Sequence, residues 1–384
     1  MSSTATMRGL RRGLITALTL AAPALAGEGT EPACTNGRLI QFDAPQATTA
    51  PSPACGSTCG TQPLGNNSFG AIVGSYTDAD VVPHGFLRTP RGEIISFDAP
   101  GAGLGAGLDE GTVAYTLNDR GWIVGQFQDP NLVFHGFIRY PNGSFTDIDV
   151  LAGAAAGQGT LAWDINFEGA TAGVYFDSNF AEHGFIRTRA GLITTIDPPG
   201  SAGTMVCEET CLNDRGAVTG FFLDANQVFH GFLREPDGHI VVFDAPKAGT
   251  AADTGTLAAS INTAGEITGY VTDNNNLGYG FIRDASGHIR LFTVPQAATG
   301  PGQGTAPFSI NDSGAVTGEY LDSNNAMHGF ARAADGAIAR FNARDAGTGA
   351  GQGTRPSTNN AAGAVTGWYL DGNNLSHGFL WEPR

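Results

Sequence analysis

The tripeptide His-Gly-Phe recurs six times in this chain of 384 residues, and Tyr-Gly-Phe fills the one gap in the series. The seven tripeptides begin at His84, His135, His183, His230, Tyr279, His328 and His377. Successive starts lie 51, 48, 47, 49, 49 and 49 residues apart. A period of this length is typical of a supersecondary unit stacked on copies of itself. The repeat therefore predicts one large domain, although length alone would suggest two or three.

Each copy contains four short runs of β-forming residues, which we name strands A to D. In copy five these runs cover 255–262, 266–273, 279–284 and 288–294. An Asn-x-x-Gly turn joins A to B in every copy, an Asp-x-Asn or Asp-x-Asp turn joins B to C, and a Gly-containing turn joins C to D. Short connections between consecutive strands predict an antiparallel meander, which is one blade of a β-propeller.

The two ends of the chain complement each other. Residues 37–45 match the strand D at 238–246, whereas the last copy stops at 377–384 with a strand C. The pattern predicts an all-β fold, a seven-bladed β-propeller of four-stranded antiparallel blades, in which the N-terminal strand completes the last blade and closes the ring. The predicted blades are 60–100, 111–150, 159–199, 204–246, 255–295, 304–344, and 353–384 together with 37–45.

The first 26 residues differ from the repeat. Arg8, Arg11 and Arg12 precede an apolar run over 14–25, and Ala24-Leu25-Ala26 follows the pattern of a cleavage site before Gly27. We predict a signal peptide at 1–26, a short N-terminal segment at 27–36 and a single propeller domain at 37–384. The apolar run is too short to span a bilayer. The mature protein is expected to be secreted, extracellular or periplasmic, with no membrane span.

Charge limits the choice of partners. The formal net charge is -16 and Lys247 is the only lysine, so nucleic acid is not expected to bind. We expect a monomer without a cofactor.

The combination of Ile-Asn-x-x-Gly, Val-x-Gly, His-Gly-Phe and an aromatic-Asp-Ala-Pro strand resembles the extracellular HAF-repeat proteins of bacteria. The resemblance covers essentially the whole mature chain and implies export and a repetitive β fold. It carries over no activity and no catalytic residue. The third element of that family is often His-Ala-Phe, so Gly at this position indicates a subgroup.

An Asp stands six residues before the His or Tyr of each tripeptide. Such pairs can orient an imidazole for acid–base work or bind a metal. An enzyme needs one such site, whereas every hairpin must be closed, so we interpret the Asp as a turn cap and the His as a hydrogen-bonding residue that starts the next strand. The same residues are the candidate contacts of a repeated binding module. The pairs are Asp78 and His84, Asp129 and His135, Asp177 and His183, Asp224 and His230, Asp273 and Tyr279, Asp322 and His328, and Asp371 and His377.

Calcium is a weaker alternative for two of these hairpins. Asp177 with Asn179, and Asp322 with Asn324, supply oxygens at alternating positions. The remaining ligands of an EF-type loop are missing, so no metal site is predicted there beyond this alternative.

Copy four departs from the pattern in strand A, where it reads Cys207-Glu-Glu-Thr-Cys211. Glu208 and Glu209, with Asp164 of copy three, could form a single asymmetric site at the channel mouth. We interpret the two glutamates as a solvated strand end, and keep a hydrolase or lyase built on these three residues as the alternative.

Five cysteines are present, and in an exported chain the Cys-x3-Cys pairs suggest local disulfides. Cys55 and Cys59 lie in a loop. Cys207 and Cys211 would be about 13 Å apart in a regular strand, beyond the roughly 7 Å that a disulfide bridges, so their pairing requires a local bend. Cys34 is left as an unpaired or intermolecular thiol.

The B–C hairpins and the longer D–A loops are expected to share one face of the propeller, which is the default ligand surface. We predict a secreted binding or interaction module for carbohydrate or an extracellular protein, without catalytic activity. A structural envelope protein is the second alternative.

Overall fold

The structure is a computed structural model that describes residues 37–105, 110–206 and 210–384. These residues form 28 β-strands and one short 3-10 turn at Gly56–Thr58, and they contain no α-helix. The prediction of an all-β fold built from a repeated unit of strands is confirmed. Among the described residues, none lies in a helix that is long and apolar enough to cross a membrane.

The strands are numbered in chain order. The first thirteen are β1 Gly37–Phe42, β2 Gly60–Asn66, β3 Ile72–Thr77, β4 Pro83–Arg88, β5 Ile94–Phe97, β6 Gly111–Leu117, β7 Ile123–Gln128, β8 Phe134–Arg139, β9 Phe145–Ile148, β10 Gly159–Ile165, β11 Thr171–Phe176, β12 Glu182–Arg187 and β13 Ile193–Ile196. The next eight are β14 Gly203–Val206, β15 Val218–Leu223, β16 Phe229–Arg234, β17 Ile240–Phe243, β18 Gly255–Ile261, β19 Ile267–Thr272, β20 Gly278–Arg283 and β21 Ile289–Phe292. The last seven are β22 Gly304–Ile310, β23 Val316–Leu321, β24 Met327–Arg332, β25 Ile338–Phe341, β26 Gly353–Asn359, β27 Val365–Leu370 and β28 Ser376–Pro383.

Strands A to D of copy one are β2 to β5, and each later copy continues the numbering in fours. Consecutive strands within a copy pair antiparallel, as in β18 with β19, β19 with β20, and β20 with β21. Copy seven ends with β28 as its strand C, and β1 pairs antiparallel with β28 from Gly37 opposite Pro383 to Phe42 opposite Gly378. The first strand of the domain thus occupies the strand D position of the last copy.

Adjacent copies meet through a parallel bridge between strand C of one copy and strand A of the next. The bridge is present at five junctions, for example between Phe134 and Gly159 and between Ser376 and Gly60. At the junction of copies one and two, Pro83 occupies the position of the bridging donor and has no N–H to give. Pro83 accounts for the break between copies one and two, and strands β12 and β14 at the junction of copies three and four also belong to different sheets. Copies two and three therefore form a sheet of eight strands apart from the other 20.

The repeated Gly-Phe pair forms the core of each copy. All seven phenylalanines of the tripeptides are fully buried. In five copies the glycine before them lies under a ring of strand D: a methyl group on Gly329 would come within 2.5 Å of the Phe341 ring, and one on Gly85 within 2.7 Å of the Phe97 ring. Close approach of the ring excludes a larger residue at this position in these five copies, whereas strand D of copies two and three has Ile148 and Ile196 instead of a ring.

The Asn-x-x-Gly turns link the copies to one another. In every turn the Asn Oδ1 accepts the N–H four residues later, and the glycine has a positive φ, as at Gly314 with φ 76°. The Asn Nδ2 donates to the backbone carbonyl of the corresponding Asn in the next copy at 2.8 to 3.3 Å, and Asn360 donates to Asn67. This series of buried hydrogen bonds passes through all seven copies and returns to its first member.

We predict that Asn311→Asp lowers the free energy of unfolding by about 1–3 kcal/mol, because the turn keeps its acceptor while the Asn360 carbonyl loses its donor and faces a carboxylate. Chemical denaturation measures the change. Asn142→Asp is the control, since that residue closes an exposed turn through Oδ1 and Ser144. Equal effects of the two substitutions would contradict the role assigned to the series.

One predicted disulfide is present. Cys55 and Cys59 are bonded, with Cα atoms 5.2 Å apart. The backbone carbonyl of Cys59 accepts the N–H of Ser376 at 2.8 Å, so this bridged segment contacts the end of the last copy. Cys34 and Cys207 lie outside the described residues, and Cys211 is buried.

Candidate functional site

The B–C hairpins and the D–A loops lie together at one end of the strands, which we call the loop face. The backbone N–H of Gly249, in the loop before copy five, donates to Thr272 of that copy, and Asp253 in the same loop donates to Gln227 of copy four. This loop thus contacts the copies on both sides of its junction, and the loops before copies six and seven do the same. The starts of the seven tripeptides lie at this face.

Each B–C hairpin is closed by its Asp. The Asp Oδ1 accepts the backbone N–H four residues later in all seven copies, as Asp129 does from Val133 at 2.9 Å. In six copies the other oxygen, Oδ2, faces the His Nε2 at 3.3 to 3.8 Å. The structure thus brings together both members of these six predicted pairs.

A second side chain holds the other side of the imidazole, and it is a carboxylate in five copies and an amide in copy six. The His Nδ1 lies 2.8 to 3.0 Å from a side chain at the end of strand D, 14 residues later in the repeat. These partners are Asp98, Asp149, Asp197, Asp244, Asn342 and, for the last copy, Asp43 of the N-terminal strand. Sequence reasoning missed them, although the constant spacing from His to the aromatic-Asp motif was a usable signal.

The imidazole also stacks on a ring of strand B. Tyr76, Phe127, Tyr175, Phe222, Tyr320 and Tyr369 lie directly opposite the six histidines, with ring centroids 4.8 to 5.2 Å apart. The five carboxylates at the ends of strand D remain 36% to 49% exposed. We call each set of Asp, His, strand D side chain and aromatic ring a loop-face cluster.

The charge state of the imidazole follows from this geometry. The hydrogen bond from Nδ1 to Asp43 raises the pKa of His377 above 6.5, partial burial opposes the shift, and the charge of Asp43 adds to it. The pKa of His84 is raised in the same way by Asp98. The pKa of each imidazole is therefore higher in the folded than in the unfolded protein. The contribution of the protonated imidazole to folding stability is complete below pH 6.5 and is lost as pH rises through the folded-state pKa.

We predict that an NMR titration finds the pKa of His377 above 6.5 and that Asp43→Asn brings it back toward that value. Asp149→Asn, which removes the corresponding carboxylate of copy two, is the control and should leave the pKa of His377 unchanged. If the pKa of His377 does not change in Asp43→Asn, the hydrogen bond assigned between these two residues is contradicted.

Copy five has a different cluster. Tyr279 replaces His, Val271 replaces the aromatic residue opposite it, and Thr293 replaces the strand D carboxylate. The Tyr279 hydroxyl lies 3.5 Å from Asp273 Oδ2, and the ammonium of Lys247 lies 3.9 Å from the centre of the Tyr279 ring. The only lysine of the chain is therefore placed at the one cluster that lacks the imidazole.

The two hairpins considered for calcium are occupied by internal hydrogen bonds. Asp177 Oδ1 accepts the N–H groups of Asn179 and Ala181, and Asp322 Oδ1 accepts those of Asn324 and Ala326. Within the described ranges no group of three or more His, Cys, Asp or Glu side chains is arranged to hold a metal ion.

A second candidate region lies at the opposite end of the strands. The A–B turns of all seven copies surround a polar cavity of about 220 Å³. Asp164 lines it and is almost fully buried, with Oδ2 accepting the N–H of Leu212 at 2.8 Å and Oδ1 that of Ile165 at 2.8 Å. Burial raises the pKa of Asp164 to about 7, against the effect of these bonds. Asp164 thus connects copy three to copy four, away from the loop face.

Copy four approaches this cavity with a longer strand A segment. From its first Gly to the turn Asn the numbering advances by 10, from Gly203 to Asn213, compared with 7 in the other copies, as from Gly255 to Asn262. The Thr210 hydroxyl hydrogen-bonds Ser260 of copy five and lies 3.4 Å from Ser309 of copy six. Glu208 and Glu209, the other members of the alternative enzyme site, lie outside the described residues.

The fold is a β-propeller-like array of four-stranded units with repeated polar clusters on one face. A lectin from Burkholderia pseudomallei has a similar fold, at 10% sequence identity and a TM-score of 0.55, over 84% of this chain and 98% of the lectin. The Aleuria aurantia lectin (13% identity, TM-score 0.42, 73% of this chain and 96% of the lectin) and a puromycin hydrolase (11%, 0.48, 87% and 56%) are more distant. No protein-family model and no curated protein matches this chain.

Proposed function

We propose that the chain forms a closed seven-bladed propeller of the HAF-repeat type. Three observations support closure: β1 pairs with β28, the Asn series returns from Asn360 to Asn67, and one cavity is lined by the turns of all copies. The parallel bridge from Ser376 to Gly60 joins the last copy to the first as it joins neighbouring copies elsewhere.

We further propose that the protein is exported. The apolar run after Arg8, Arg11 and Arg12 supports this proposal, as does the disulfide between Cys55 and Cys59, because disulfides persist mainly in oxidising compartments.

We propose that the protein is a multivalent carbohydrate-binding module. The observation that carries this proposal is the repetition of the loop-face cluster in six copies, five of which have a half-exposed strand D carboxylate beside a partly exposed imidazole. Carboxylates accept hydrogen bonds from sugar hydroxyl groups, and six weak sites on one face gain avidity on a repetitive glycan. The similarity in fold to a lectin is consistent with this use.

Charge narrows the class of glycan. Each cluster except those of copies five and six carries two carboxylates around one imidazole, and the net charge of the chain is -16. Sulfated or uronic acid-rich polymers would be repelled. The proposed ligands are therefore neutral or cationic glycans.

A glycan array of the mature protein, from Gly27 onward, tests the proposal. We expect binding to neutral or amino-sugar glycans that is weakened in the triple variant Asp98→Asn, Asp149→Asn, Asp244→Asn, because three of the five strand D carboxylates are removed and avidity falls. The matched control is Asp119→Asn, Asp214→Asn, Asp312→Asn, which makes the same charge change in the A–B turns at the other face. Absence of any glycan ligand, or equal loss in both triple variants, would contradict the proposal.

A further inference from the structure

The loop-face clusters differ in one residue that comes from the preceding copy. Lys247, in the loop before copy five, lies over the Tyr279 ring. The Cα–H of Gly101 in the loop before copy two points toward Phe127, since an added methyl group would lie 3.6 Å from that ring. The corresponding residue before copy seven is Asp345. The same position of the repeat is thus occupied by a cation in Lys247, by a small residue in Gly101 and by an anion in Asp345.

Asp345 helps to form a cavity at copy seven. Its volume is about 490 Å³, large enough for a monosaccharide unit, and its lining combines different polar groups. The main lining side chains are Gln41, Asp43, Asp345, Tyr369, Asp371 and His377. Two of these come from β1 and the residue that follows it, which complete the copy, and one comes from copy six.

The polar groups of this cavity are fixed by one another. Gln41 Nε2 donates to Asp345 Oδ2 at 3.0 Å and to the Tyr369 hydroxyl at 2.6 Å. His377 Nδ1 lies 2.9 Å from Asp43, and its Nε2 lies 3.8 Å from Asp371. Burial raises the pKa of Tyr369 to about 12, and the three carboxylates add to the shift against the effect of Gln41. A neutral phenol and a carboxamide therefore stand beside three carboxylates and one imidazole.

The charge balance of the cavity is negative even when His377 is protonated, because three carboxylates face one imidazolium. A ligand with a cationic group gains Coulomb energy there that a neutral ligand does not. The copy five cluster shows the opposite arrangement, with a lysine in the Asp345 position and a threonine in place of the strand D carboxylate. The same scaffold thus presents opposite charges at equivalent places.

We propose that the copy seven cavity is a distinct binding site for an amine-bearing sugar unit, and that Asp345 is the residue that selects the amine. This inference rests on the proposed carbohydrate-binding function and adds specificity to one of its sites. Hydroxyl groups of the sugar would be bound by Gln41 and the Asp43 carboxylate, and its ammonium group by Asp345 and Asp371.

Calorimetric titration of the mature protein at pH 6 tests the site with glucosamine, and with N-acetylglucosamine as the neutral match. We expect one tight site for glucosamine, with at least about fivefold weaker binding of the neutral sugar. Asp345→Asn should remove that preference. Asp253→Asn, an exposed residue of the loop before copy five, is the control and should leave the preference unchanged.

The outcomes distinguish the selective site from the general binding function. Equal affinity for both sugars, or a glucosamine preference that survives Asp345→Asn, overturns the selective site while leaving the binding module intact. If neither sugar binds to a protein that does bind glycans on the array, the selective site is likewise overturned and the binding module is retained. A protein with no glycan ligand overturns the proposed function itself.

Discussion

A truncated chain that starts at Ala44 is expected to lose its cooperative fold. Without residues 37–43, β28 loses its antiparallel partner over six residues, and Phe42 no longer packs against Phe86. The partly buried side chains of Leu39, Ile40 and Phe42 are also lost from the core, each contributing up to about 1.5 kcal/mol, which together is a sizeable part of a typical stability of about 5–15 kcal/mol. Thermal unfolding followed by circular dichroism should show a broad transition at a markedly lower temperature.

A circularly permuted chain tests whether the fold needs the strand itself or only its position at the N-terminus. Residues 37–43 can be placed after Arg384 through a short Gly-containing turn, because Gly37 lies opposite Pro383 in the antiparallel pair. We expect this chain, which begins at Ala44, to recover the cooperative transition. If the truncated chain unfolds like the mature protein, the strand is dispensable and closure through β1 is contradicted.

Arg355→Ala is expected to lower the free energy of unfolding by about 3–5 kcal/mol, because it leaves a buried carboxylate without its cation. Arg355 of copy seven lies 3.2 Å from Glu319 of copy six, and its guanidinium lies 4.6 Å from the centre of the Phe308 ring. Glu319 is 3% exposed, and its Oε2 has no hydrogen-bond partner among the described residues. Denaturant titration at pH 7 measures the loss.

A double variant and a pH series distinguish charge from packing. Burial raises the pKa of Glu319, and Arg355 opposes this shift, so the carboxylate of the single variant takes up a proton more readily. The deficit of Arg355→Ala should therefore shrink as pH falls toward 4.5. Replacing both residues, Glu319→Leu with Arg355→Met, should restore most of the stability. A deficit that does not change with pH and persists in the double variant would point to lost packing instead.

The repeat predicted the strand pattern because each strand and turn carries a local signal. In the Asn-x-x-Gly and Asp-x-Asn turns the first side chain accepts a backbone N–H of the same turn. The same residues occur in seven copies, which makes the turns easy to recognise in the sequence. The Cys55–Cys59 disulfide was also predictable, since a loop sets no limit on the approach of its Cα atoms. Local chemistry of this kind is visible in a sequence.

Contacts between strands and between copies were not visible in the same way. The strand D partner of each His was missed because the 14-residue spacing has meaning only once strands C and D are paired in register. The period-two pattern of strand A is broken by a bulge in six copies, as between Ala162 and Asp164. The donation of each Asn to the next copy depends on packing that no single copy specifies.

The stoichiometry of binding tests the multivalent module most directly. The mature protein should be titrated by isothermal calorimetry with a monovalent form of the best glycan from the array. We expect several sites per chain, close to the six clusters that contain His, and a lower number when His84, His135 and His230 are replaced by Gln. A single site per chain that is unaffected by these substitutions would contradict the multivalent module.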